Sequence, residues 1–133
     1  MIAGFAGALT AACSVFVVKW RPFRVEVRGD SMSPALHAGE WAVAVRGPAR
    51  RGAVVVVEHP TRPGFDMVKR LRGFPGDSVG GRILDADEWW VEGANEGASI
   101  DSRTLGPVPR AAIKGRVVAV YAPLRRARLM RLR

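Results

Sequence analysis

After residue 22 the apolar positions fall into short runs bounded by Gly, Pro, Asp and Asn, the pattern of β-strands joined by tight turns rather than of helices. Phe23 to Val27, Trp41 to Val45 and Ile113 to Tyr121 read as strands, and the valine-rich Ala53 to Glu58 reads as one lying in the interior of the sheet. From Phe65 onward the alternation puts Phe65, Met67, Lys69 and Leu71 on one face and Asp66, Val68, Arg70 and Arg72 on the other. His59 to Gly64 predicts a hairpin turn into that strand, Gly73 to Gly81 a sharp reversal, and Arg82 to Glu92 a further short hairpin. Trp89 and Trp90 alternate faces there, one toward the core and the other toward the surface or a membrane. The sum is a mainly β domain of seven or so short strands, without internal repeats.

A different pattern precedes it. Ile2 to Val18 is uncharged and mostly apolar, about 17 residues or roughly 25 Å as a helix, close to a 30 Å hydrocarbon core. With Lys19 and Trp20 as interfacial residues, residues 1–20 are expected to form a transmembrane anchor, residues 21–124 the folded domain, and 125–133 a basic tail that is either solvated or laid on anionic lipid.

Composition narrows the classes. A chain of 133 residues holds one modest core beyond the anchor. The net charge of +9 suits an anionic partner, and with no helix-turn-helix, zinc or RNA-binding pattern the membrane surface is favoured over nucleic acid. Cys13, the single cysteine, leaves no intrachain disulfide and no thiolate cluster. His37 and His59 lack ligand spacing, so neither a metal nor a cofactor is expected.

Two stretches carry candidate chemistry. Gly29-Asp30-Ser31-Met32-Ser33-Pro34 sets a serine in a turn between two strands. A serine in such a turn commonly bonds its own backbone, but it is also where an exposed nucleophile sits. The second stretch holds Lys69, the one charge on its apolar face. A lysine there commonly snorkels to the rim; buried, it loses several units from its ordinary pKa of about 10.4 and becomes a neutral base. Such an amine beside Ser31 could take the hydroxyl proton.

Gly29-Asp30-Ser31-Met32-x-Pro34, then Val68-Lys69-Arg70 running into Gly73-x-Pro75-Gly76-Asp77, then Gly93-x-Asn95 with Ser99-x-Asp101-Ser102-Arg103-x-x-Gly106, resemble the successive boxes of type I signal peptidases, the membrane-bound Ser/Lys proteases of the S26 group. The resemblance implies a coiled β-sheet fold of the signal-peptidase and LexA kind, Ser31 as nucleophile and Lys69 as general base. It also implies that Ser99 orients the lysine amine, that Asp101 and Arg103 pair near the dyad, and that Met32 packs beside it. Some family members carry a hydroxyl side chain as second oxyanion donor where this chain has Gly29, and an acidic residue where it has Ala94.

The implied partners are membrane lipid and precursor proteins with N-terminal leaders, cut after small residues at the first and third positions before the scissile bond. The Glu58-His59-Pro60-x-Arg62-Pro63 and Trp90-Val91-Glu92-Gly93 segments look like the small members that mature nickel-type superoxide dismutases. Ordinary bacterial signal peptidases hold the domain outside the cell membrane, whereas Lys19, Arg21, Arg24 and Arg28 after the anchor favour the cytoplasmic side. A LexA-like autoprotease and a catalytically idle membrane-surface module of the same fold are the alternatives.

Overall fold

The computed structural model describes residues 21–132; the anchor expected over 1–20 lies outside them, as does Arg133. Among the described residues no helix is long and apolar enough to cross a membrane. What they form is mainly antiparallel sheet. The strands are β1 (Pro22–Glu26), β2 (Trp41–Val45), β3 (Val54–Glu58), β4 (Asp66–Gly73), β5 (Ser78–Val79), β6 (Arg82–Ile83), β7 (Trp90–Glu92), β8 (Ile113–Ala122) and β9 (Arg128–Leu129). The main sheet runs β1-β2-β8-β3-β4-β7, with β9 also on β8, while β5 and β6 make a separate ribbon. A single α-helical turn, α1 (Ser102–Leu105), follows β7.

The valines of β3 explain why the sheet has two buried faces. Successive strand side chains point to opposite sides. Val54 and Val56 accordingly join one core with Met32, Leu36, Ala42 and Val120, and Val55 and Val57 join the other with Met67, Leu71 and Val91. β8 ties the halves together: β2 pairs with one edge of it, and β3 and β9 share the other.

Two local expectations are corrected. The second hairpin is not Arg82 to Glu92 but β5 and β6, joined by Gly80 and Gly81, whose φ values of 59° and 81° suit a tight two-residue turn. Trp90 instead pairs β7 with β4 opposite Gly73, where an added Cβ would stand 2.8 Å from the Trp90 Cβ. Of the two tryptophans, Trp89 is the one packed against the core of Val55 and Val57, its ring tilted 59° to that of Phe74 with centroids 4.8 Å apart, whereas Trp90 is half-buried and donates from Nε1 to Glu92 at 2.8 Å. Finally, the segment read as a tail contributes β9, because Ala119 and Val120 of β8 offer it a free edge beyond the end of β3.

Candidate active site

β1 leads into a loop whose foot is closed by Val27, which donates its N–H to the Glu40 carbonyl at 2.8 Å and accepts from Gly39 at 2.9 Å. Met32 and Leu36, 2% and 0% exposed, plug this loop into the core and leave Ser31 half-buried at its lip. Gly29, at φ +75°, takes the left-handed turn that presents Ser31, and a side chain there would be strained although nothing stands within 4 Å. The Ser31 carbonyl accepts the Asn95 N–H at 2.8 Å, fastening the Ser31 loop to the segment after β7.

Lys69 sits in β4 opposite Val55 and is only 4% exposed. Its Nζ donates to Ser99 Oγ at 3.1 Å. Burial pushes the amine below the ordinary lysine range; Asp101 opposes this and Arg103 adds to it. Gly29, Ser31, Met32 and Lys69 all line one cavity of about 530 Å³, with Phe65 and Ile100 along its wall.

Behind Lys69 lies a chain of charge-assisted hydrogen bonds. Ser99 Oγ donates to Asp101 Oδ2 at 2.6 Å, and Asp101, 1% exposed, also accepts the Gly93 N–H at 2.8 Å and the Arg103 N–H at 3.0 Å. Arg103 closes on the same carboxylate through Nε at 3.0 Å and a terminal nitrogen at 2.6 Å. Burial by itself would raise the Asp101 carboxyl, but the hydrogen bonds from Arg103, Gly93 and Ser99 outweigh it and hold the group well below the usual carboxylate range.

Several functional positions escaped the sequence reading. Gly93 is a pinch point: an added Cβ would collide with the Ser99 side chain and lie 2.7 Å from the Ser31 carbonyl oxygen. Ser102 Oγ accepts the Val91 N–H at 2.9 Å and fixes α1 to β7. Arg70, on the strand face opposite Lys69's, is 4% exposed and bonds the Gly52 carbonyl at 2.7 Å. Glu40, 0% exposed, is met by Arg128 from β9 at 2.6 Å. Gly93 and Glu40 both lie within or beside quoted motifs, but nothing in a one-dimensional pattern says which side chain a glycine makes room for.

The family model for Signal peptidase, peptidase S26, matches residues 1–83 and 79–122, segments that hold every candidate site residue. The chain belongs to the S26 signal peptidase family. Mitochondrial inner membrane protease subunit 1 of Saccharomyces cerevisiae is similar to it, 30% identical over 145 aligned positions that cover 86% of this chain and 76% of the yeast protein. Subunit 2 from the same yeast is 29% identical over 118 positions, 74% of this chain and 67% of its own length. Subunit 1 of the Homo sapiens protease is 31% identical over 111 positions, covering 72% and 67%. An S26 peptidase is thus the frame in which the cavity and its polar wall are to be understood.

Proposed function

We propose that this S26 peptidase is a membrane-associated serine endopeptidase that removes N-terminal leaders from precursor proteins with a Ser31–Lys69 dyad. The observation that carries this reading is the polarity of the bonds behind Lys69. Ser99 gives its one hydroxyl proton to Asp101, so toward Lys69 it can only accept. A neutral Lys69 then uses an N–H on Ser99 and keeps its lone pair for another proton.

In the reaction, Ser31 Oγ attacks the scissile carbonyl carbon while its proton passes to the Lys69 amine. The Ser31 N–H stabilises the oxyanion. Collapse breaks the C–N bond, with Lys69 returning the proton to the departing amine. Water then cleaves the acyl-enzyme ester as Lys69 takes its proton, and Ser31 recovers its own. The names of the mitochondrial relatives support membrane association, and a nickel-type superoxide dismutase precursor is the specialised substrate that the 58–63 and 90–93 segments suggest.

The test is cleavage of a leader-bearing precursor by purified full chain. Ser31→Ala and Lys69→Ala each abolish it while unfolding cooperatively, and an acylating inhibitor labels Ser31. Turnover by folded Lys69→Ala would sink the dyad. Absence of labelling in the native chain favours the idle module, and self-cleavage at alkaline pH in preference to precursor favours the autoprotease.

A further inference from the structure

We infer that Arg128 is a positioning residue for the nucleophile, latching the Ser31 loop from β9. This rests on the Ser31 reading above. Glu40 ends the loop and is 0% exposed, a carboxylate that cannot stay charged in such a place without a partner. Arg128 supplies it. One terminal nitrogen donates to Glu40 Oε2 at 2.6 Å and to the Arg126 carbonyl at 2.7 Å, and the other to Glu40 Oε1 at 3.0 Å and to the Ala35 carbonyl at 2.7 Å. The His37 N–H completes the Glu40 shell.

The register explains how an arginine from the far side of β8 reaches this loop. Arg128 stands opposite Val120, and Val120 opposite Ala42, so the three share one face across β9, β8 and β2. Strands are about 4.8 Å apart, so β2 lies roughly 10 Å from the β9 backbone across β8, a span that needs a long side chain. The forked guanidinium then holds two points at once, the loop's end through Glu40 and its middle through Ala35, which an ammonium cannot match.

The points held flank the catalytic side. Asn95 fixes the backbone at Ser31 itself, and Met32 and Leu36 fix the loop's apolar floor. Arg128 fixes the return limb. Without it the loop keeps its floor and loses the constraint that sets the height of Ser31 against Lys69.

The experiment compares full-chain variants with an internally quenched peptide that has alanine at the first and third positions before the cut. Arg128→Met lowers kcat about tenfold or more with KM changed less than about twofold. The double variant Arg128→Met/Glu40→Gln, in which no buried carboxylate is stranded, regains the wild-type Tm but not kcat, and Arg128→Lys recovers only part of the rate. Wild-type kcat in folded Arg128→Met, or a double variant that regains kcat along with Tm, overturns the assignment. Hydrogen exchange reads the latch without reference to catalysis: in Arg128→Met the Leu36 and Gly39 amides exchange about tenfold faster while those of β3 do not change. Equal exchange at Leu36 and Gly39 overturns it as well. Turnover surviving in Ser31→Ala would instead strike the dyad reading, leaving the exchange result to decide the latch.

Discussion

Lys69 Nζ stands 3.1 Å from Ser99 Oγ, and the same hydroxyl is 2.6 Å from the Asp101 carboxylate. The second distance fixes the direction of the first bond. Replacing Ser99 by Ala removes the acceptor that orients the amine but leaves the amine and the nucleophile in place. Turnover in Ser99→Ala should fall about 10- to 100-fold with little change in KM, far less than the loss caused by Ser31→Ala. Steady-state kinetics identical to wild type would show that Ser99 does not orient Lys69.

The depressed Lys69 pKa has a definite pH signature. Activity should rise with a base whose apparent pKa lies below the ordinary lysine value of 10.5. For stability the sign is reversed: the unfolded chain binds the proton more tightly, so Lys69 destabilises the fold most at low pH, and this vanishes above pH 10.5. Lys69→Met should therefore be more stable than wild type near neutrality, with a difference in urea midpoint that closes as the pH approaches that value. A constant difference across the range would contradict the assigned shift.

Asp101 acts in the opposite sense. Its folded carboxyl lies below the unfolded value of 3.8, so its contribution is present above that pH and disappears only as the pH falls into its own depressed range. Asp101→Asn takes the buried charge from the Arg103 guanidinium, which keeps Glu96 at 3.0 Å and the Gly93 carbonyl at 3.1 Å, and weakens the bonds from the Gly93 N–H and Ser99. The expected loss is about 3 kcal/mol, the lower end for a broken buried pair because Arg103 is 29% exposed. Urea denaturation at pH 7 measures it, and a change under about 0.5 kcal/mol would mark a pair of the solvated kind.

Gly93→Ala tests the pinch between the Ser31 backbone and Ser99. The new Cβ cannot fit without moving one of them. Because a displacement near 1 Å can cost about 100-fold in rate, kcat should fall by that order. Gly97→Ala is the control, with nothing within 4 Å of its added Cβ. Equal kinetics in the two variants would show that the 93–99 segment does not set the geometry.

The side of the membrane is open to direct labelling. Ser78 is exposed in β5, so Ser78→Cys in a Cys13→Ser chain offers one accessible thiol. Protection from an impermeant thiol reagent until lysis is the outcome expected if residues 1–20 anchor the chain, from the basic residues that follow them. Reaction in intact cells would place the domain outside and exclude a substrate matured in the cytoplasm.

By itself the sequence determined the β class, the central place of the valine strand, and the three motif segments that contain the site, because each is written in local alternation, turn residues or contiguous boxes. The place of Lys69 between Met67 and Leu71 put it on the apolar face but left open whether its amine snorkels or is buried, which packing decided. The position of the second hairpin could not be read, since Gly80 and Gly81 make a tighter turn than the surrounding reversal suggested, and Trp90 was claimed by the edge of β4. Nor could the fate of Arg128 and Leu129, whose surroundings of arginines and leucines resemble a lipid-facing tail until β8 offers an edge and Glu40 a buried charge. Tertiary structure decided those because hydrogen-bond partners such as Arg128 and Glu40, 88 positions apart, leave no periodic trace in a chain; only packing brings a stranded carboxylate and a long cation to the same place.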